Sequence, residues 1–170
     1  MKLTIGRGMY GKHGYTTLDA NPNIGAAIVA TVPPFPKEVT DHVGKWEEVE
    51  MIHFLEHLYQ WDAAELLREI RGVLAVGGRV VIELPDISFA AAVLMGAKDR
   101  IPGTAAGQCD MWPIYGDPSE RNPLYGHRWG YTPQTLREAL ETAGFKPEGI
   151  SQKPAQYHVP GRDFRMEAVA

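Results

Sequence analysis

Two stretches near the N-terminus, LTIGRG (residues 3–8) and YTTLDANP (15–22), carry the clearest structural signal in the chain. Each starts as a short apolar or β-branched run and ends in turn-forming residues, which is typical of a strand followed by a loop. Gly6 and Gly8 allow a ligand to approach the backbone closely, because glycine has no Cβ. Asp19, at the end of the second run, can accept hydrogen bonds from the two hydroxyls of a ribose. This order of strand, glycine turn, strand and acid indicates a nucleoside-binding α/β sheet.

Strand and helix patterns alternate along the rest of the chain. One helix is predicted after Trp61, where apolar residues recur at helical spacing, with Asp62 as its cap. A second is predicted from Thr132, with Pro133 in its first turn and Gly144 as its stop. Beyond the strands at 2–5 and 15–18, short apolar runs predict further strands over residues 27–31, 48–52, 79–84, 148–153 and 164–169.

The predicted alternation places the candidate binding residues together. Strands that alternate with helices pair in parallel, and ligands bind outside the carboxyl ends of such strands. The residues at or just after the first four strand ends are therefore the candidates for the cofactor site: Ile5, Gly6, Arg7, Gly8, Asp19, Ala20, Thr31 and His53.

Four further segments strengthen this interpretation: VEMIHFLEHL (49–58), LLREIRGVLAVGG (66–78), RVVIELPD (79–86) and HRWGYTPQTLREALETAGF (127–145). Together with the two N-terminal stretches, they make the chain similar to the class I S-adenosylmethionine (SAM)-dependent methyltransferases, in particular the small methyltransferase type 11 proteins. The resemblance implies a Rossmann-like α/β sheet of about seven strands, mostly parallel with an antiparallel last strand. It implies SAM as the cofactor and methyl transfer as the reaction.

The topology also suggests roles outside the glycine turn. His53, after the fourth strand, is the predicted catalytic residue and a predicted cofactor contact. His127 and Arg128, which precede a Trp-Gly-Tyr run, are predicted to contact the substrate. His13, His42 and His158 are expected at the surface. Histidines and acids do not follow one another at a spacing typical of metal sites, so no metal is predicted.

Three features depart from the family pattern. Only the nine residues RGMYGKHGY (7–15) separate the first two strands. A parallel crossover usually needs a dozen or more, so the first helix is predicted to be shortened or absent. Arg7 stands where relatives carry a small residue, and Thr31 where many carry an acid. These departures keep open a degenerate cofactor-binding or accessory protein without catalysis. A dinucleotide-dependent oxidoreductase is disfavoured, because IGRG lacks the third glycine of that fingerprint.

Composition limits the partners. With 170 residues, a single domain over 1–170 is expected. A net charge of −4 and a pI near 5.9 argue against duplex nucleic acid. No apolar run approaches the roughly 20 residues of a membrane span. Cys109 is the single cysteine, and no signal peptide is visible, so a cytoplasmic location is expected.

The stretch from about residue 88 to 125 carries the least family resemblance. It is rich in aromatic residues, Gly and Pro, including Trp112 and Tyr115. We expect it to form a variable insert that covers the pocket as a substrate-recognition lid. Packing as part of the core, or as a homodimer contact, is the alternative. The expected acceptor is a small molecule, a sugar or glycan-type group, or a peptide.

Overall fold

The computed structural model describes residues 1–6, 8 and 12–170. They form one seven-stranded sheet in the order β3-β2-β1-β4-β5-β7-β6. The strands are β1 Lys2–Ile5, β2 Thr16–Asp19, β3 Ile28–Val29, β4 Trp46–Ile52, β5 Leu74–Pro85, β6 Ile150–Pro154 and β7 Asp163–Val169. The α-helices are α1 Lys37–Thr40, α2 Gln60–Val73, α3 Ile87–Leu94, α4 Met111–Tyr115 and α5 Pro133–Thr142.

The pairing of the strands confirms the predicted fold class. β1 pairs in parallel with β2 and β4, β2 with β3, and β4 with β5. β7 is antiparallel to both β5 and β6, so it alone runs against the other strands. The order and directions are those of the Rossmann-like methyltransferase sheet. The carboxyl ends of β1, β2, β3, β4 and β5 therefore meet at one edge, and β7 begins at that same edge.

One face of the sheet is apolar and carries the core. Leu3 and Ile5 of β1 and Val49 and Met51 of β4 are fully buried on it. α2 and α5 contact the sheet and each other, and their inward side chains belong to the same hydrophobic cluster: Leu66, Leu67, Ile70, Val73, Leu136 and Leu140. The helical spacing read from the sequence thus identifies the correct faces of both helices.

The opposite face of the central strands is polar. Charged residues occupy alternate positions, and the register places Lys2 beside Glu48, Glu48 beside Arg79, and Glu83 beside Arg165. Arg79 donates to Glu48 at 2.7 Å, and Glu83 accepts from the backbone N–H groups of residues 156–158 at 2.8–3.3 Å. An apolar helix face packed here would leave buried charges unpaired, which costs several kcal/mol for each ion.

This polar face gives a physical reason for the short β1–β2 connection. Its described part, Gly6, Gly8 and 12–15, contains no helix, in agreement with the prediction. Instead, Lys12 donates to Glu50 at 2.5 Å and the Tyr15 hydroxyl donates to Glu48. A polar loop therefore covers carboxylates where an amphipathic helix would not fit.

The 88–125 insert contains more helix than the sequence suggested. α3 begins at Ile87, one residue before the expected boundary, and the Asp86 side chain caps it by accepting from the N–H of Ser88. α3 packs against α4, and Arg100 donates to Asp110 at 3.0 Å in the segment between them. The insert thus contains two helices that contact each other and a side-chain hydrogen bond in the segment between them.

Two local predictions about helix starts have different outcomes. Thr132 caps α5 through a capping box with Thr135, and Pro133 is the first helical residue. The prediction for α2 was wrong: the helix begins at Gln60, so Asp62 lies inside the first turn, and Tyr59 occupies the cap position without a side-chain hydrogen bond. Among the helices of the described residues, none has both the length and the apolar character needed to cross a bilayer.

Candidate active site

The glycine turn after β1 is shaped by a residue that follows β4. Gly6 has φ +69, and a Cβ added there would lie 2.2 Å from Cδ2 of Phe54. Gly6 is therefore required both by its left-handed backbone and by the ring beside it. Gly8 has φ +53, and no atom of the described residues lies within 4 Å of where its Cβ would be. Within the described part of the turn, Phe54 therefore closes the side at Gly6, and the position at Gly8 leaves room for a ligand.

Asp19 joins this turn to the end of β2. Its Oδ2 accepts from the Gly8 N–H at 3.2 Å and its Oδ1 from the Asn21 N–H at 2.9 Å. A carboxylate has about four lone-pair sites, so both oxygens retain capacity for ribose hydroxyls. The side chain is half-buried at the edge where the strand ends converge.

The remaining predicted cofactor contacts lie along this edge with different exposure. Ile5 is fully buried at the end of β1, and its contribution to a ligand site is confined to its backbone. Ala20 is exposed directly after β2. Thr31 is exposed beyond the end of β3, which β2 separates from β1. Arg7 lies outside the described residues.

His53 lies directly after β4, as predicted. It is the one non-glycine residue with positive φ, at +48, in the described part of the chain. Its backbone N–H donates to the Glu83 carbonyl at 2.8 Å, which holds it against β5. Its Nδ1 lies 3.2 Å from Oε1 of Glu56 and its Nε2 lies 3.3 Å from Oδ2 of Asp163. Neither contact has hydrogen-bond angles, so both are chiefly electrostatic.

These contacts change the protonation of all three groups. Burial alone would lower the pKa of His53, but the carboxylates of Asp163 and Glu56 outweigh it and raise that pKa to about 9. Burial would raise the pKa of Glu56, and contact with His53 instead lowers it to about 2. The pKa of Asp163 is likewise lowered to about 2 against the effect of burial, by His53 and Arg162. At neutral pH a cation therefore stands between two carboxylates.

Two members of this group were missed by sequence reasoning. Asp163 was not identified because it belongs to the antiparallel strand, whose first residue reaches the ligand edge only once β7 is placed beside β5. Arg162 donates to both oxygens of Asp163 at 2.5 and 2.7 Å. His158, expected at the surface, is exposed, but its ring centroid lies 3.9 Å from that of His53.

His127 and Arg128 come close to the same region. The ring centroids of His127 and His57 are 5.0 Å apart, and the Nδ1 of His127 lies 2.9 Å from the Pro113 carbonyl of α4. The backbone N–H of Arg128 donates to the Glu56 carbonyl at 2.8 Å, and its guanidinium donates to the His57 carbonyl. The structure thus brings the two predicted substrate residues to the segment that follows His53.

An open cavity adjoins this segment. It has a volume of about 360 Å³ and is lined by the end of the insert, from Tyr115 to Tyr125, and by Gly126. The Gly126 carbonyl lies 3.3 Å from Nδ1 of His57. The cavity therefore belongs to the end of the insert and meets the segment after β4 only through this Gly126–His57 contact.

Comparison with known proteins identifies the family of this chain. A family model described as "Methyltransferase domain" matches residues 10–148. The chain belongs to this methyltransferase family. The match covers most of the chain, and it includes α2, β5, the insert and α5. A comparison of the sequence with curated proteins found no match.

Solved structures share the fold of this methyltransferase. A SAM-dependent methyltransferase from Archaeoglobus fulgidus has 16% identity and a TM-score of 0.66, over 99% of this chain and 85% of that one. A SAM-dependent methyltransferase from Thermotoga maritima has 11% identity and a TM-score of 0.63, over 99% and 81%. The trans-methyltransferase CalH, in complex with SAH, has 17% identity and a TM-score of 0.58, over 99% of this chain and 50% of that one.

The residues of the sheet edge fit the cofactor that the family implies. The methyltransferase is a class I SAM-dependent enzyme, and its cofactor needs a close backbone approach and a ribose acceptor. Gly6 and Gly8 supply positive-φ backbone with open space at Gly8, and Asp19 supplies the carboxylate. The described part of the glycine turn therefore suits SAM even without a helix after β1.

Proposed function

We propose that this methyltransferase binds SAM along Ile5, Gly6, Arg7, Gly8, Asp19, Ala20 and Thr31, and transfers its methyl group to an acceptor near His53. The observation that carries the proposal is the position of Phe54. It packs on Gly6 while its neighbour His53 contacts Glu56 and Asp163. This contact supports the proposal that the glycine turn and the charged group belong to one site.

The cofactor supplies an activated methyl group on a positive sulfur, so the protein has mainly to align the acceptor with it. Asp19 fixes the ribose end, and the Gly6 backbone sets how far the ligand sinks toward β4. His53 and its two carboxylates border the opposite side of the turn. Because the carboxylates hold His53 in place, its ring is proposed to border the site of methyl transfer in one fixed orientation.

The acceptor is proposed to be a small molecule, a sugar or glycan-type group, or a peptide group, rather than duplex nucleic acid. Three observations support this. The cavity beside Tyr115 and Gly126 is of small-molecule size. Aromatic side chains are exposed around it, including Tyr115 at 70%. The chain has a net charge of −4, which disfavours a phosphate backbone.

The insert is proposed to act as the lid of this acceptor site. Its α4 carbonyls contact His127: the Tyr115 carbonyl accepts from the backbone N–H, and the Pro113 carbonyl faces the ring. A ligand between the insert and His53 would thus be enclosed by residues that contact each other. A homodimer surface on the insert is the competing proposal.

A second candidate function is favoured by one observation. The β1–β2 connection is short, and its described part contains no helix. A protein that retained the fold and cofactor binding but had lost catalysis would show the same reduced loop. The alternative is therefore a cofactor-binding or accessory protein without methyl transfer.

The test combines binding with turnover. Calorimetric titration with S-adenosylhomocysteine, and a thermal-shift comparison of that ligand with NAD, are expected to show binding of the nucleoside thioether alone. Incubation with SAM and separate pools of small molecules, glycans and peptides is expected to release S-adenosylhomocysteine with one pool, as measured by mass spectrometry. Binding without turnover in all pools would support the accessory role, and absence of binding would overturn both.

A further inference from the structure

Glu56, His57 and His127 form a cluster that the cofactor site does not use. One ligand atom from each lies within 4.8 Å of the others. Glu56 and His57 belong to the short 3-10 helix Leu55–His57, and His127 lies beyond the insert. The fold therefore gathers two imidazoles and a carboxylate from distant parts of the sequence.

The carboxylate of Glu56 lacks the donors that a buried anion needs. The residue is 2% exposed, and within the described part of the chain neither of its oxygens has a hydrogen-bond partner. Oε1 has the electrostatic contact with His53, but nothing comparable is found for Oε2 among those residues. Burying a charge is costly unless it is paired or coordinates a metal. A cation at Oε2 would therefore stabilise this carboxylate.

Each of the two histidines has its Nδ1 at a backbone carbonyl. Nδ1 of His57 lies 3.3 Å from the Gly126 carbonyl, and Nδ1 of His127 lies 2.9 Å from the Pro113 carbonyl. A carbonyl only accepts, so in each ring these contacts assign the proton to Nδ1 and leave the lone pair on Nε2. A backbone carbonyl that fixes the tautomer and ring orientation is the usual outer-shell partner of a metal-binding histidine.

The geometry points to a divalent transition-metal site made by Glu56, His57 and His127. A central point between three atoms that lie within 4.8 Å of one another is no more than about 2.8 Å from each, so closure by less than about 1 Å gives the 2.0–2.2 Å bonds of Zn²⁺. Two imidazoles and one carboxylate suit Zn²⁺, Co²⁺, Mn²⁺ or Fe²⁺ and leave coordination positions open. The assignment departs from the sequence-based expectation of no metal.

The location gives the ion a role, and this step rests on the proposed function. Glu56 contacts His53 on one side and the histidines on the other, so the ion lies between the methyl-donor edge and the cavity at Gly126. A hydroxyl of the acceptor bound to the ion would lose its proton to solvent more readily, because the cation stabilises the oxyanion. The oxygen then forms a bond to the methyl carbon, the carbon–sulfur bond breaks, and its electron pair stays on sulfur. The acceptor class is thus a hydroxyl compound that can chelate, such as a vicinal diol or catechol.

The test titrates Zn²⁺ into EDTA-treated, metal-free full-length protein by calorimetry and follows Co²⁺ loading by its visible absorption. One ion per chain is expected, with affinity lowered at least tenfold in both Glu56→Gln and His127→Ala. His42→Ala is the matched control, since His42 lies outside the cluster and its Nδ1 also faces a backbone carbonyl, that of Glu38. Thermal unfolding without metal checks that each variant is folded.

Catechol then serves as the probe for the open positions. Its addition to the Co²⁺-loaded protein is expected to shift the absorption bands, and an unchanged spectrum would overturn the acceptor assignment. No metal binding, or equal affinity in wild type, Glu56→Gln and His127→Ala, would overturn the site. The metal titration needs no SAM, so the two proposals can fail separately. If the protein binds S-adenosylhomocysteine but does not bind Zn²⁺, this inference alone is refuted. If it binds Zn²⁺ but does not bind S-adenosylhomocysteine, the metal site is retained and the proposed function is refuted.

Discussion

Nε2 of His53 lies 3.3 Å from Oδ2 of Asp163, although one residue follows β4 and the other begins β7. The contact exists because β7 is antiparallel to β5, so its first residue arrives where the parallel strands end. It ties the C-terminal strand to the candidate active site. The pair is therefore expected to couple stability of the fold to the protonation of the site.

The first prediction is a pH dependence of unfolding. The pKa of Asp163 is lowered from 3.8 to about 2, so its stabilising contribution is present above pH 3.8 and is lost as the pH falls through 2. The pKa of His53 is raised from 6.5 to about 9, so its contribution is present below pH 6.5 and is lost as the pH rises through 9. The shift of Asp163 corresponds to about 2 kcal/mol and that of His53 to about 3 kcal/mol, and because both include the His53–Asp163 contact they do not add.

Urea unfolding from pH 2 to 10, in EDTA, measures this dependence. Asp163→Asn is expected to weaken both limbs, with the His53–Glu56 contact keeping part of each, whereas Asp99→Asn at an exposed position leaves the profile unchanged. An Asp163→Asn profile that parallels wild type would show that the pair does not couple to folding.

The second prediction separates two glycines of the same turn. Gly6→Ala must adopt positive φ and also displace Phe54, whereas Gly8→Ala has the positive φ alone. A left-handed alanine costs about 1–2 kcal/mol, and displacement of a packed ring adds about 1–3 kcal/mol. Chemical denaturation is expected to show the larger loss for Gly6→Ala. Equal losses would mean that Phe54 moves freely and does not define the floor of the turn.

The third prediction concerns the ribose acceptor. Asp19→Ala is expected to weaken S-adenosylhomocysteine binding by about 1.5–3 kcal/mol, the range for hydrogen bonds to a charged group. Asp19→Asn keeps one carbonyl acceptor and should lose less. Calorimetry gives the affinities, and a Thr31→Ala variant tests whether the end of β3 contributes. Unchanged affinity in Asp19→Ala would remove Asp19 from the cofactor site.

The sequence predicts the parts of this molecule that depend on local pattern. β1 has the predicted bounds, and His53 stands at the predicted strand end, because apolar runs and glycines determine both. The partners of His53 were not predictable in the same way. Asp163 depends on the pairing of β7 with β5, and His127 reaches Glu56 only because α4 and the following turn hold it there. Such contacts come from tertiary packing, which the hydrophobic periodicity of a sequence does not report.

The polar face of the sheet also could not be predicted from the local sequence pattern. The sequence shows that the β1–β2 connection is short, but it does not show what replaces the helix. The replacement follows from strand geometry. Glu48 and Glu50 are alternate residues and share one face of β4, so the loop must bring donors to them. The alternation of charged residues in β4 was the signal available in the sequence. It was not used, because the segment was read as a strand buried in the centre of the sheet.

The last prediction tests whether this loop stabilises the fold by pairing charge. Nζ of Lys12 lies 2.5 Å from Oε2 of Glu50, and the side chains are 36% and 3% exposed. Lys12→Met would leave a buried carboxylate with the Tyr157 hydroxyl, at 3.3 Å, as its remaining described donor. An unsatisfied buried group costs about 1–3 kcal/mol, and partial exposure of Lys12 places the expected loss in the lower half of that range.

A matched surface pair supplies the control for this loss. Lys37 and Asp41 are 2.6 Å apart but 80% and 53% exposed, so Lys37→Met should cost no more than about 0.5 kcal/mol. Adding Glu50→Gln to Lys12→Met removes the stranded charge and should recover most of the lost stability, as measured by urea unfolding at neutral pH. If Lys12→Met and Lys37→Met are equally mild, the loop covers the sheet without pairing its charge, and the absence of a helix after β1 needs another cause.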